Sequence, residues 1–365
     1  MKSLAQPLDQ VDRTYVWFRR RKLSYFGGCD YFRLSSRPEV TAAFKSGLKR
    51  YGLTVAASRK TTGNHVLYER LEKSLAEFFG AADAVLISNG YATNTAVAQA
   101  LAGRFSRVLI DERAHASLAD AAVFFGCPTI CFPYRDAGAV GRIVRRSGRK
   151  SRLALLTDGM FAHNGELAPL AAYLSQLPGD AMVLVDDAHG AGVLGRGGRG
   201  TAEELCVRSS RIIQTISLSK AFGVYGGAVL GSRAVCERIR TASRLFGGNT
   251  PPLLPLAAAA LAAVELLKRE PVLLRRLHRN VNWVRTGLRG SGMHLADSPG
   301  PIVSVTPKRA GDAELMTGRL LARGVYPSFI RYPVGAKSGY FRFAISSEHR
   351  QVQLESLVSA LLAGP

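Results

Sequence analysis

The sequence predicts an α/β fold, a mainly parallel sheet with helices on both faces, followed by a smaller α+β unit. Three observations carry this. Short apolar runs alternate with helical segments between residues 84 and 217. Residues 182–186 are apolar at every position before a final acid, as in a strand covered on both faces. Polar and acidic residues gather just after the apolar runs, where open parallel sheets place their ligands. Strand–helix alternation of this kind builds parallel sheets.

The elements follow in order. Residues 1–40 are basic and aromatic without a clean period. Leu71, Leu75, Phe78 and Phe79 recur at helical spacing and predict an amphipathic helix over 70–79. Strands are predicted at 84–88, 107–111, 129–133, 153–158, 182–186 and 212–217, with helices at 91–101, 115–125 and 169–177. The stretch Thr250-Pro-Pro-Leu-Leu-Pro255 breaks this rhythm. The domain reading is therefore an N-terminal segment 1–40, a large domain 41–250 and a small domain 251–365. The last contains one long helical region over 256–291, strands at 302–305, 324–327 and 340–345, and a final helix ending at 362.

With 365 residues and 39.3 kDa, the chain has room for two domains. Its 47% hydrophobic and 21% charged residues exclude disorder and low complexity. The longest mostly apolar run, 253–267, is interrupted by Pro255 and falls short of the about 20 residues a membrane span needs, so it reads as a buried helix. Residues 1–10 include Asp9 and no apolar core, so no signal peptide is expected. The 49 basic and 27 acidic residues give a net charge of +22, which raises the prospect of an anionic partner: nucleic acid, a phosphate-bearing cofactor or an acidic carrier protein. Arginine outnumbers lysine 38 to 11, so a solvated basic surface accounts for much of the excess. The dense runs at 19–22 and 142–152 lack zinc-finger spacing and the aromatic RNA-binding signature, and nucleic acid is not the expected partner. Five scattered cysteines without a CxxC argue against disulfides and structural zinc, and for a reducing cytoplasm.

The residues after each predicted strand carry the chemistry. They are Asn89-Gly90-Tyr91, Asp111 with nearby His115, Asp158-Gly159, Asp186-Asp187-Ala188-His189-Gly190, and Ser217-Leu218-Ser219-Lys220. One strand end offers an acid with a histidine, another a lysine between hydroxyls. A third offers a glycine entering a helix, where free backbone N–H groups hold phosphate. Pyridoxal phosphate (PLP) needs this set: a lysine for its aldehyde, a carboxylate for its ring nitrogen, a phosphate cup and an aromatic face. Gly195-Arg-Gly-Gly-Arg-Gly200 does not lie between a strand and an immediate helix, so it is not a dinucleotide fingerprint.

The segments Val183-Leu-Val-Asp-Asp-Ala-His-Gly-Ala-Gly-Val-Leu-Gly195 and Thr215-Ile-Ser-Leu-Ser-Lys-Ala-Phe-Gly223, with Gly226-Gly227, resemble the α-oxoamine synthase family. Ser88-Asn-Gly-Tyr-Ala-Thr-Asn94, Asp111-Glu-Arg-Ala-His-Ala-Ser117, Thr157-Asp-Gly-Met-Phe161 and Tyr340-Phe-Arg-Phe343 support the match, which runs from about Asp30 to the C-terminus. The resemblance implies a fold-type-I PLP-dependent transferase, with a mainly parallel seven-stranded sheet and a smaller α+β C-terminal domain. It implies decarboxylating condensation of an amino acid with an acyl thioester, in a homodimer whose active site is shared. By position, Lys220 would carry the cofactor and take the substrate proton. Asp186 would face the pyridine nitrogen, His189 the phenolic oxygen and His115 the ring face. Asp158 belongs to the cofactor-binding set. Gly90, Tyr91 and Ser217 would bind phosphate, with Thr250 reaching in from a second subunit, and Arg342 would hold the substrate carboxylate. Asp186 is preferred to Asp187 because adjacent strand residues point to opposite faces.

The chain departs from the family where substrates are expected. Asn-Asp-Tyr-Leu-Gly-Leu becomes Cys29-Asp-Tyr-Phe-Arg-Leu34, and Gly-Ser-Gly-Gly-Ser-Arg becomes Thr54-Val-Ala-Ala-Ser-Arg59. A usual histidine is Tyr68, and Ser-Met-Asp-Gly is Ala162-His-Asn-Gly165. The competing expectations are a PLP-dependent aminotransferase or aldolase-type lyase, and a basic nucleic-acid-binding or scaffold protein on a PLP fold.

Overall fold

The computed structural model describes residues 7, 8, 10–148, 150–293, 295–307, 309, 311–331 and 339–363. The first six residues, part of the stretch read for a leader, lie outside these. The chain divides into two compact units: residues 34–162 with 166–274, and residues 1–33 with 163–165 and 275–365. The sequence reading placed its breaks at 40/41 and 250/251; contacts place them at 33/34 and 274/275.

The first unit is built on a seven-stranded sheet. Its strands are β1 Asp83–Ile87, β2 Arg107–Asp111, β3 Thr129–Phe132, β4 Leu153–Asp158, β5 Met182–Asp186, β6 Ile212–Ser217 and β7 Gly227–Gly231. The order is β1-β7-β6-β5-β4-β2-β3. Five neighbours run parallel from β6 to β3, and β7 is antiparallel to both β6 and β1. The six strands read from apolar runs all form. The seventh, Gly-Ala-Val-Leu-Gly, begins and ends in glycine, a residue depleted in strands, and does not announce itself.

Alternation along each strand sorts residues between two cores. Val108, Ile110, Leu156, Leu184 and Ile213 pack on one face with helices Gly90–Ala100, Ala116–Ala122 and Arg233–Ala242. Leu109, Leu155, Val183 and Val185 pack on the other with helices Ala137–Ser147 and Leu170–Gln176. Each fully buried Leu, Val or Ile of these layers contributes about 1.5–3 kcal/mol. The predicted 256–291 helix is two, Leu254–Arg269 and Pro271–Leu288. Pro271 lacks the N–H a continuing helix needs and starts the second instead.

In the second unit, Gln10–Asp12, Tyr15–Phe18 and Arg21–Ser24 form an antiparallel meander. The sequence showed no period here because the turns are made by arginines: Arg13, Arg19 and Arg20 have φ of 42°, 48° and 61°. Such turns are usually flagged by Asn or Gly. A second three-stranded sheet has the order Ile302–Val305, Tyr340–Ala344, Phe329–Ile330. The expected strand at 324–327 reduces to one bridge, Ser24 with Val325, and the pairing strand lies at 329–330.

Two positions that depart from a glycine in the resembled family's motifs have a left-handed backbone. Arg33 has φ 53° and is buried, its guanidinium donating to the Tyr25 carbonyl at 3.1 Å. Ala56, in the first unit, has φ 48° and is exposed. An L-residue there costs about 1–2 kcal/mol of strain. Ala56→Gly is expected to stabilise the protein by about 1 kcal/mol, part of the relief being offset by chain entropy; urea unfolding of the two proteins checks it.

His349 is buried in the second unit against Phe26, ring centroids 4.0 Å apart. Its Nδ1 accepts from Ser346 N–H at 2.9 Å and its Nε2 donates to the Tyr25 carbonyl at 3.1 Å, an arrangement only the neutral ring makes. Burial, then the Arg33 charge, pushes its pKa down to about 3. The unfolded histidine takes a proton below about 6.5, the folded one does not, so this contribution is intact above 6.5 and is lost as pH falls toward 3. At pH 5 the loss is expected to be about 2 kcal/mol relative to pH 7.5; urea titrations should show it, and His349→Gln should remove that part of the pH slope.

Candidate active site

The carboxyl ends of β4, β5 and β6 lie side by side, with Asp158 opposite Asp186 and Asp186 opposite Thr215 in the parallel register. Strand alternation decides which side chains meet. Asp186 follows Leu184 onto the face carrying helices Gly90–Ala100 and Ala116–Ala122, and Asp158 follows Leu156 there. Asp111 follows Leu109 to the opposite face. There it accepts from Tyr173 Oη at 3.3 Å and from the backbone of Arg113 and Arg135, so it is a structural acid.

Asp186 is 6% exposed, and its oxygens are held by named donors. Asn94 Nδ2 donates to Oδ2 at 2.7 Å, Ser117 Oγ lies 3.3 Å from the same oxygen, and Ala188 N–H donates to Oδ1 at 3.1 Å. Thr215 Oγ1 donates to Asn94 Oδ1 at 2.7 Å, which fixes the amide's orientation. Asn94 also donates to Ser117 Oγ at 2.9 Å. Ser117 Oγ in turn lies 2.7 Å from His115 Nδ1.

His115 caps helix Ala116–Ala122, and its ring meets that of Tyr91 edge-on with centroids 5.8 Å apart. Its backbone N–H donates to Asp158 Oδ2 at 2.7 Å. Burial lowers the His115 pKa, the Asp186 charge opposes this, and the Lys220 charge adds to the lowering. Burial, then the Asp186 charge, pushes Asp158 well above the usual carboxylate range, while the His115 N–H and Lys220 pull it down. Lys220 is thus electrostatically coupled to both His115 and Asp158. It stands half-buried in the turn after β6, where Gly223 N–H closes on the Lys220 carbonyl at 3.0 Å. His189 is buried in the turn after β5.

Asn89 caps the helix that starts at Gly90, accepting from Ala92 N–H at 2.9 Å. A Cβ on Gly90 would lie 2.8 Å from Ser217 Oγ, and one on Gly227 would lie 2.6 Å from the Asn89 carbonyl. The two glycines therefore let the helix N-terminus and the Ser217 hydroxyl converge. Tyr91 is exposed and donates its hydroxyl to Asp120.

The structure brings together, by contact or charge, Gly90, Tyr91, His115, Asp158, Asp186, Ser217 and Lys220. Thr250 is exposed beside Asn249, which donates to Ser88 Oγ at 3.2 Å. Arg342 lies in the other unit, its Nη2 3.5 Å from Cys29 Sγ. His163 is buried and also belongs to that unit. Three participants had no role in the sequence reading: Asn94, Ser117 and Thr215. They stand inside quoted segments, but small polar residues in helices and strands give no sign of their partners before the register is known. Asp187 is engaged elsewhere than Asp186: it accepts from Thr201 N–H at 2.8 Å, Thr201 Oγ1 at 2.6 Å and Gln214 Nε2 at 2.7 Å.

The family profile described as aminotransferase class I and II matches residues 29–361. A putative 8-amino-7-oxononanoate synthase from Desulforudis audaxviator is 34% identical, over 99% of this chain and 94% of that protein. The 8-amino-7-oxononanoate synthase of Methylococcus capsulatus is 36% identical, over 91% and 86%. Among solved structures, serine palmitoyltransferase from S. paucimobilis with a bound PLP–myriocin aldimine superposes with a TM-score of 0.91 at 25% identity, covering 98% of this chain and 91% of that one. An 8-amino-7-oxononanoate synthase from Francisella tularensis, at 23% identity, shares the fold with a TM-score of 0.79, over 93% and 97%. With its parallel strand ends, its buried acid and its lysine turn, the chain belongs to the α-oxoamine synthase group of the class I and II aminotransferases, the fold-type-I PLP-dependent acyltransferases.

Proposed function

We propose that this protein condenses an amino acid with an acyl thioester, releasing free thiol and CO2 and forming an α-amino ketone, as an 8-amino-7-oxononanoate synthase does. The observation that carries the reading is the 34–36% identity to 8-amino-7-oxononanoate synthases over 91–99% of the chain; the buried Asp186 carboxylate, oriented by Asn94, fits the cofactor such an enzyme uses. PLP is the family's cofactor, and the residues present fit it. The cradle at Gly90 and Ser217 exists only because no Cβ fills it, and an eleven-residue helix points its N-terminal amides there.

When bound, PLP supplies an electron sink for negative charge developing at the amino acid's Cα. The chain's own groups do the rest. The Lys220 amine would hold the cofactor aldehyde and later remove the Cα proton. Asp186 would keep the pyridine nitrogen protonated, since its oxygens are held in place and buried away from water. His189 would donate to the phenolic oxygen and His115 would cover the ring face. Gly90, Tyr91 and Ser217 would bind the phosphate, with Thr250 contributed to the site of a second subunit in a homodimer. Arg342 would hold the substrate carboxylate with its planar fork. The +22 charge supports steering of an anionic acyl donor, either the phosphates of coenzyme A or an acidic carrier protein. All five cysteines are free, which supports a reducing, cytoplasmic setting. No helix among the described residues is long and apolar enough to cross a membrane.

The test is a panel of glycine, alanine and serine crossed with acyl-CoA chain lengths, read by thiol and CO2 release. Thiol and CO2 released together support the reading. Amino-group transfer or aldol cleavage without thiol sinks it in favour of an aminotransferase or lyase. Lys220→Ala is expected to abolish borohydride fixation of PLP to the chain and to lower turnover at least about 10³-fold, the scale of removing a positioned base; peptide mass mapping locates the adduct. Gly227→Ala, forcing a methyl onto the Asn89 carbonyl, is expected to weaken PLP binding about tenfold or more by displacing the helix N-terminus. Absorbance titration with PLP measures it.

A further inference from the structure

We propose that Ser117 is a positioning residue that holds His115 as a neutral imidazole protonated at Nε2, and so ties the state of that ring to Asp186. This rests on the placement of His115 and Asp186 in the active site and adds a residue to it. The geometry is specific. Ser117 presents two groups to one ring nitrogen: its hydroxyl 2.7 Å from His115 Nδ1, and its backbone N–H donating to that nitrogen at 3.2 Å. An N–H can point at Nδ1 only when Nδ1 carries a lone pair, so the ring's proton is on Nε2. The hydroxyl has a single hydrogen and two candidate acceptors, His115 Nδ1 at 2.7 Å and Asp186 Oδ2 at 3.3 Å. The shorter contact takes it. Asn94 Nδ2 donates to the hydroxyl oxygen and, at 2.7 Å, to Asp186 Oδ2. Asp186 is therefore served without the hydroxyl hydrogen, which remains for His115.

Protonating His115 at Nδ1 would reverse this arrangement. The hydroxyl would have to turn toward Asp186 and accept from Nδ1–H, while the Ser117 backbone N–H would face another N–H. The groups around the ring leave this as the deciding local contact. Asp186 from the end of β5 and Asp120 from the same helix as Ser117 favour the charged ring. Burial and Lys220 from the turn after β6 favour the neutral one. Asp158 from the end of β4 is engaged by the His115 backbone N–H, and the Tyr91 ring from helix Gly90–Ala100 meets the His115 ring at 73°. A ring held neutral keeps a constant charge beside Lys220 while that amine gives and takes a proton.

The test reads the ring directly. In ¹⁵N-histidine-labelled protein, without cofactor and again loaded with PLP, the His115 resonance is identified by its loss in His115→Asn. In the wild type we expect one tautomer, protonated at Nε2, over the neutral range. Ser117→Ala keeps the backbone N–H and loses the hydroxyl, so it should raise the pH midpoint of His115 by about half a unit or more, since a hydrogen bond to the neutral form is lost. Ser117→Thr should restore the midpoint. Ser117→Cys, of similar size and a weak donor, should behave like Ser117→Ala and serves if the alanine variant does not fold. A merely structural serine would lower the melting temperature and leave the midpoint unmoved. That result, or a midpoint that falls, overturns the proposal. An active acyltransferase with an unmoved His115 defeats this inference alone; a shifted His115 in a protein that releases no thiol defeats the acyl-transfer reading alone.

Discussion

A carboxylate buried at a strand end is the constraint around which the first unit is arranged. Taking a charged group out of water is costly unless donors replace the water. Asp186 has them from two elements: Asn94 from a helix and the Ala188 amide from its own turn. Asn94 is itself fixed by Thr215 and donates in turn to Ser117, whose hydroxyl lies between Asp186 and His115. The network crosses β6, helix Gly90–Ala100, helix Ala116–Ala122 and β5, so shifting any one of them would leave a buried polar group unpaired. Such networks matter because they are complete.

The same two-residue period that builds the cores distributes the chemistry. Along β6, Ile213 packs in the core, Thr215 binds Asn94 and Ser217 meets Gly90, all on one face. Asp186 and Asp187 are neighbours in sequence and divided by this period. Asp186 is held by Asn94 and the Ala188 amide. The other anchors the chain around Thr201, and Gly159, Gly190 and Gly200 press so close to it that a Cβ on any of them would lie within 2.4 Å of its oxygens.

Much of this was legible in the sequence because both signals are local. Short β-prone runs ending in a polar group, fully apolar before the acid in β5 and interrupted by Gln214 and Thr215 in β6, mark β4, β5 and β6 without knowledge of their neighbours. Lys220, Asp186, His189 and His115 stand at the ends of such runs or at the following helix start. What could not be read depends on partners far along the chain. Asn94 and Thr215 are separated by more than a hundred residues, and only the strand order makes them neighbours. The N-terminal meander failed for a different reason. Its turns use arginine with positive φ, where the rules expect glycine or asparagine, so the usual punctuation is missing. Pro271 divides a helical stretch that periodicity alone would run through.

The departures from the family pattern also follow a physical order. Arg33 and Ala56 occupy left-handed backbone positions, where glycine would carry no strain. Arg33 gains something for its strain: a hydrogen bond to the Tyr25 carbonyl and a place over the Tyr25 ring, 5.7 Å from its centroid. Ala56 is exposed and gains only the Thr54 hydroxyl, 3.1 Å from its amide. Gly90 and Gly227 could not drift in this way. Their hydrogens face Ser217 and the Asn89 carbonyl at distances no carbon can occupy, so substitution there would move the helix N-terminus itself. Strain of about 1–2 kcal/mol can be carried by a loop; a clash at Ser217 or the Asn89 carbonyl moves an element.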